Sequence, residues 1–252
     1  MSKRISIFMP VYHRGETVKL SVRAVLDTMT SEGFTVKLVM VDNRSDRELR
    51  EWLCGVSEER EDVEVILLGK NYGKAKAINM ASKAFSDFDF FIGCDSDIVP
   101  QSDGWPGVLA QCFTECKGAG MMSTDYVNNG NSPMPKQPKE VMLRVDSGAW
   151  RFRFGGPVAG GCFMTSAAIW KELGYRASGV YGGVDGVFRQ NVADILMRKC
   201  GYLEKLYVEH HDDRKQNEGY HEWKMGVQNK IRKIGPLERA DRIGNEKGYW
   251  DK

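Results

Sequence analysis

The chain has 252 residues, of which 42% are hydrophobic and 28% charged. That suffices for a sizeable core in one large domain, or in one domain with an extension, and the balance is ordinary for a soluble globular protein. The 36 basic against 34 acidic residues leave a net charge of +2, which argues neither for nor against a polyanionic partner, and no window has the unbroken apolar length of roughly 18 residues that a membrane span needs.

Met1-Ser2-Lys3-Arg4 runs straight into a strand pattern with no apolar leader region. Ile5 to Val11 reads as a buried strand stopped near Pro10. Val18, Val22, Val25, Leu26 and Met29 then recur on one helical face. Val36 to Val41 is a second strand, ending in Asp42-Asn43-Arg44. Ser45-Asp46-Arg47-Glu48 has the form of a capping box, and the helix it opens carries Leu49, Trp52, Leu53 and Val56 on one side. Val63 to Leu68 is a third strand. Gly69-Lys70-Asn71-Tyr72-Gly73 leads into a small-residue helix from about Lys74 to Phe85, and Asp89 to Cys94 is a fourth strand.

Strand and helix thus alternate three times and finish on a strand. That pattern predicts an α/β fold with a mostly parallel central sheet flanked by helices. Ligands bind such sheets beyond the carboxyl ends of the strands. Tyr12, His13 and Arg14 follow strand one, Asp42 and Asn43 strand two, Asn71 strand three, and Asp95 and Asp97 strand four. Cys94-Asp95-Ser96-Asp97 closes on Ile98-Val99-Pro100. In an extended backbone Asp95 and Asp97 would share one side. Two convergent carboxylates call for a cation or a proton between them, and a hard divalent ion that also takes phosphate oxygens suits them. Alone, an Asp-x-Asp is more often a solvated turn; four polar strand ends meeting in one crevice change that weighting.

The later pattern is looser. A helix is expected over Val108 to Phe113, a short strand over Gly120 to Ser123, a strand over Cys162 to Met164 and a helix from Ala167 to Trp170. The turn-rich stretch 128–138 reads either as a lid over the crevice or as an ordinary connecting loop. Gly160-Gly161 allows a close backbone approach. Asp185 stands in the glycine-rich turn Tyr181 to Gly186 before an apolar-periodic helix, where it could equally be a first-turn acid without function. A late strand over Leu203 to Val208 ends in Glu209-His210-His211. The tail 214–252 has ten Lys or Arg against six Asp or Glu, and four aromatics; it could meet a phosphate backbone, though solvated helix faces explain it as well. Cys54, Cys94, Cys112, Cys116, Cys162 and Cys200 show neither a Cys-x-x-Cys pair nor zinc-ligand spacing. Free thiols in a cytoplasmic protein are therefore expected.

Pro10-Val11-Tyr12, Val41-Asp42-Asn43, Asn71-Tyr72-Gly73 through Asn79, Asp95-Ser96-Asp97, Gly160-Gly161, Val184-Asp185 and His210-His211 form an ordered series. The series resembles family 2 glycosyltransferases of the GT-A fold and runs through most of the chain. The resemblance implies one domain over 1–252, with a nucleotide-binding half (1–100), an acceptor half (101–212) and a C-terminal extension (213–252). It implies a nucleotide-diphospho-sugar donor, a UDP-sugar first, with Mn2+ or Mg2+. Pro10, Tyr12 and Asp42 would line the base and ribose, Asn71 and Lys76 would lie beside the base or phosphates, and Asp95 would face ribose and metal. Asp97 would ligate the metal with His210 or His211, and Asp185 would be the base of an inverting transfer. The acceptor stays open among glycans, lipid-linked sugars, proteins and modified bases in nucleic acid.

Three departures stand out. Asn43 replaces the usual second acid, Val184 replaces the acid before Asp185, and no Gln-x-x-Arg-Trp of processive synthases occurs. A single sugar transfer is therefore expected. The Val184 departure leaves open a non-catalytic sugar-nucleotide or glycan-binding module of the same fold. A sugar nucleotidyltransferase is a weaker alternative, because the loop Tyr12-His13-Arg14-Gly15 holds a single glycine.

Overall fold

The computed structural model describes residues 2–127, 139–155, 158, 160–176 and 184–211. The first half is built from β1 (Lys3–Val11), α1 (Gly15–Thr28), β2 (Phe34–Asp42), α2 (Arg47–Glu58), β3 (Val63–Leu67), α3 (Gly73–Ala84) and β4 (Phe90–Cys94). These four strands lie side by side as β3-β2-β1-β4, all parallel. The uninterrupted apolar runs explain this: strands covered by helices on both faces need no polar side, and all five residues of β4 are buried.

The second half contains β5 (Ile98–Pro100), α4 (Trp105–Glu115), β6 (Ala119–Tyr126), β7 (Lys139–Val145), β8 (Gly148–Phe154), β9 (Cys162–Ser166), α5 (Ala167–Leu173), α6 (Val184–Asp194) and β10 (Lys199–His210). It extends the same sheet as β9-β6-β10-β8-β7, with β5 beside β10. Here the expectation of a mostly parallel sheet needs amending. β9 runs antiparallel to both β4 and β6, and β7 and β8 form an antiparallel hairpin. The whole sheet is mixed. The hairpin gives no strand signal in the sequence because β7 buries only Leu143 among charged and exposed neighbours.

Phe91 joins the two halves. It is fully buried, stacks on Trp170 of α5 at 3.6 Å between ring centroids and on Phe8 of β1 at 5.1 Å. Phe163 of β9 and Phe188 of α6 continue the cluster. The second half is therefore seated on the first by aromatic packing, where each ring pair adds about 0.5–1.5 kcal/mol beyond simple burial.

Two local details differ from the sequence expectation. The cap of α2 is Asp46, whose carboxylate accepts the Leu49 N–H at 3.0 Å, rather than Ser45. Ser45 Oγ is taken by the His13 N–H at 2.9 Å. Asp95 and Asp97 do not lie on an extended strand: the Ile98 N–H donates to the Asp95 carbonyl at 3.2 Å, closing a turn. The stretch 128–138, Gly156, Pro157, Ala159, the 177–183 segment and the tail 212–252, with the loop, glycine and tail expectations placed there, lie outside the described residues. Among the described residues no helix is long and apolar enough to cross a membrane, and all six cysteines are free thiols.

Candidate active site

The chain leaves β1 for β2 on one side, and β4 comes back to pair with β1 on the other. The carboxyl ends of β1 and β4 thus part at the switch point where α/β sheets bind ligands. His13 and Arg14 both adopt left-handed backbone conformations there, with φ of 52° and 62°. For non-glycine residues that costs on the order of 1 kcal/mol each. The turn carries Arg14 across to Asp97, with Nη1 donating to Oδ2 at 3.2 Å. Tyr12 sets its ring edge-on to His13 at 4.5 Å, and Pro10 sits in β1 opposite Val41.

The ends of β2 and β3 act as scaffold. Asp42 is completely buried. Its carboxylate accepts the N–H groups of Arg44 and Ser45 at 3.1 and 3.0 Å and lies 3.3 Å from Arg50 Nε. Asn43 ties two loops together: its N–H donates to the Val11 carbonyl at 2.8 Å and its Oδ1 accepts the Tyr72 N–H at 3.1 Å. Asn71 Oδ1 accepts the Gly73 N–H at 2.8 Å, which satisfies an otherwise unpaired donor at the start of α3. In this structure the Asp42 and Asn71 side chains therefore hold the loops that follow β2 and β3.

The reactive-looking groups gather at the end of β4. Lys74, in the first turn of α3, places Nζ 2.6 Å from Asp95 Oδ1 and 2.8 Å from Asp185 Oδ2. Tyr175 donates its hydroxyl to the other Asp185 oxygen at 2.5 Å. Asp185 stands in the first turn of α6, where a side chain on Gly160 would collide with it. The missing Cβ of Gly160 is what lets the loop before β9 pass so close. Burial pushes the Asp95 carboxyl up to about 6, with Lys74 acting against the rise and Asp185 and Asp97 adding to it. Burial pulls the Lys74 ammonium down, but Asp185 and Asp95 outweigh it and hold its pKa well above the ordinary value.

Asp97 is buried and faces a different set. His210, at the end of β10, brings Nε2 to 3.4 Å from Asp97 Oδ2. Its ring meets Tyr126 edge-on at 6.0 Å, and the Tyr126 hydroxyl fits only because Gly161 has no side chain. His211 donates its backbone N–H to the Asp97 carbonyl at 2.7 Å, while its imidazole Nε2 turns to Glu209 at 3.4 Å.

The expected metal donors Asp95, Asp97, His210 and His211 thus do not converge on one point. Among the described residues no group of three or more His, Cys, Asp or Glu could hold an ion. What the fold brings together is one carboxylate and one imidazole, Asp97 and His210. An oxygen and a nitrogen donor of that kind suit Mn2+ or Mg2+ when phosphate oxygens and water complete the shell. Asp97 and His210 are thus the two residues that would hold such an ion, while Asp95 pairs with Lys74 and the His211 ring turns to Glu209.

The profile of glycosyl transferase family 2 matches residues 6–174. The chain belongs to this family. A curated relative, undecaprenyl-phosphate 4-deoxy-4-formamido-L-arabinose transferase of Salmonella paratyphi B, is 27% identical over 141 residues. That match covers 56% of this chain and 42% of the relative, so the chain spans about two fifths of the curated relatives it matches. Among solved structures, the mannosyltransferase PcManGT from Pyrobaculum calidifontis, in complex with GDP-Man and Mn2+, superposes with a TM-score of 0.68 at 12% identity, covering 98% of this chain and 66% of that one. GalNAc-T7 with UDP, GalNAc and Mn2+ gives 0.69 at 13% identity, covering 98% and 55%. These likenesses place the family 2 chain in the GT-A fold.

Two members of the site have no place among the residues that the sequence singles out. Lys74 is one; the sequence points to Lys76, whose ammonium instead lies 4.9 Å from the Tyr72 ring centroid. The available signal for Lys74 is its position next to Gly73, at the start of the helix whose N-terminus faces the crevice. Tyr175 is the other. It follows the Leu173-Gly174 helix stop, and its partnership with Asp185 has no local signature at all.

Proposed function

We propose that this protein is a metal-dependent glycosyltransferase that moves one sugar from a nucleotide-diphospho-sugar to a hydroxyl acceptor with inversion. The observation that carries the reading is that Asp185, from the second half, meets Asp95 of the first half through the shared ammonium of Lys74. An acid that faces the acceptor and an Asp-x-Asp that faces the donor then stand on one crevice.

The chemistry follows from the residue types. As the bond between sugar and phosphate breaks, negative charge grows on the departing diphosphate. A divalent cation held by Asp97 and His210 would stabilise that charge as a Lewis acid. Arg14, already beside Asp97, adds fixed positive charge at the same end of the crevice. Asp185 takes the acceptor proton from the face opposite the leaving group, as the base does in inverting glycoside hydrolysis. Such help is worth about two to four orders of magnitude in rate. An alcohol needs that help, whereas a phosphate acceptor is already ionised at neutral pH and would be repelled by Asp185. The placement of Asp185 therefore favours a hydroxyl over a lipid phosphate.

The solved neighbours of this fold include one in complex with GDP-Man and one with UDP, so donors of both kinds belong in the assay. Release of nucleoside diphosphate from UDP-glucose, UDP-N-acetylglucosamine and GDP-mannose, measured with Mn2+, is the direct test. Asp97→Ala should lose at least about a hundredfold of the wild-type rate, the scale of losing one electrostatic stabiliser. Full activity in Asp97→Ala would remove the metal role of this carboxylate.

A further inference from the structure

Asp185 is gripped at both oxygens, and both grips trace back to α3. Lys74 of α3 holds Oδ2 directly at 2.8 Å. The hydroxyl of Tyr175 holds Oδ1 at 2.5 Å. Tyr175 in turn is clamped by Asn79, also of α3. Asn79 Nδ2 donates to the Tyr175 carbonyl at 2.7 Å, and Asn79 Oδ1 accepts the Tyr175 N–H at 3.0 Å. A side-chain amide that pairs with both backbone groups of one residue fixes that residue as a neighbouring strand would. The Tyr175 ring is further seated edge-on against Trp170 and Phe188 at 5.0 and 5.9 Å. Burial, reinforced by the Asp185 charge, keeps the Tyr175 phenol protonated and so a donor.

Packing alone does not account for this arrangement. A phenylalanine would fill the aromatic seat and bury no hydroxyl. The hydroxyl finds its hydrogen-bond partner in Asp185, and a bond to an ionised carboxylate is among the stronger ones available. Each carboxylate oxygen has two acceptor sites, so one partner on each leaves Asp185 capacity to accept an acceptor's proton. The Asp185 side chain keeps 20% of its surface exposed, which leaves it reachable from the crevice.

We infer that Tyr175 and Lys74 are positioning residues that lock the carboxylate of Asp185 in the orientation required of the base, with Lys74 tying that orientation to the donor-side Asp95. The inference rests on the reading of Asp185 as base.

A double-mutant cycle separates the two. Wild type, Tyr175→Phe, Asp185→Asn and the double variant are compared by nucleoside diphosphate release from whichever of UDP-glucose, UDP-N-acetylglucosamine and GDP-mannose reacts fastest. Tyr175→Phe should lower kcat about tenfold, the worth of a hydrogen bond to a charged group, and leave the donor KM within about twofold, since the hydroxyl touches only the base. The double variant should be no slower than Asp185→Asn, because Tyr175 acts through a group already removed. A wild-type kcat in Tyr175→Phe, or a loss that multiplies in the double variant, would overturn the positioning role. A fully active Asp185→Asn would instead sink the base reading. The same four proteins unfolded in urea supply a readout without substrate. Coupling of at least about threefold in the unfolding constant is expected for contacting residues, and strictly additive effects would refute the grip whatever the donor.

Discussion

Lys74 lies 2.8 Å from Asp185, a residue 111 positions further along the chain, and 2.6 Å from Asp95. One ammonium thus bridges two carboxylates that come from opposite halves of the fold. The two acids stand side by side because the lysine lies between them, and the site is assembled only when both halves are seated.

Replacing Lys74 by Met keeps an unbranched chain one atom shorter and removes the charge. Asp95 and Asp185 then face one another with no cation between them. Breaking a fully buried ion pair costs roughly 3–5 kcal/mol; with Lys74 still 20% exposed, about 2 kcal/mol is expected. Urea unfolding at pH 7 measures it. The donor KM should rise and kcat fall together, because Lys74 touches a donor-side and an acceptor-side acid. A variant with wild-type stability and kinetics would show that the bridge carries no weight.

The two neighbouring histidines should behave differently. His210 points its imidazole at Asp97, whereas His211 points its own at Glu209 and serves Asp97 through its backbone. His210→Ala should weaken Mn2+ binding in the presence of UDP by about tenfold or more, as expected when one ligand of few is lost. His211→Ala keeps its backbone N–H and should stay within about threefold of wild type by the same reasoning. Isothermal titration of Mn2+ into the UDP-saturated protein decides between them, and equal losses would contradict the geometry.

Asp46 sets a pH dependence of stability. The Leu49 N–H lowers its pKa first, with the His13 contact adding to it. A carboxylate depressed in the folded state contributes stability above its unfolded pKa, near 3.9, and loses it as the pH falls through the folded value. Asp46→Ala should therefore cost about 1 kcal/mol at pH 7, the usual worth of a helix cap. The gap to wild type should narrow as the pH drops below about 4. Thermal unfolding at pH 7 and pH 3 tests this, and a gap that widened in acid would mean that Asp46 is bound more tightly in its protonated form, the opposite of a cap.

Much of the first half is legible because its signals are local. Apolar runs such as Ile5 to Val11 and Phe90 to Cys94 can only be buried strands, and the periodic helices between them dictate parallel pairing with polar ends on one side. The second half is less legible where burial is thin. The β7–β8 hairpin buries little on β7 and so leaves little pattern.

The choice between Lys74 and Lys76 shows where local reading stops. Two residues on a helix differ by about 200° around its axis, so only the phase at which α3 docks decides which lysine meets the carboxylates. The same holds for Asp95 and Asp97. An extended backbone would have put them on one side, but the turn closed by the Ile98 N–H sends Asp95 to Lys74 and Asp97 to Arg14 and His210.

By itself the sequence determined the alternating architecture, the four polar strand ends and the candidacy of Asp95, Asp97, Asp185 and His210, because residue type, periodicity and the order of motifs carry that information without long-range contacts. Only the tertiary structure decided that Lys74 and Tyr175 hold Asp185, that His210 rather than His211 turns its ring to Asp97, and that Asp42 braces its own loop. Each of those outcomes depends on how distant segments pack, and packing distances are not written in any one stretch of the chain.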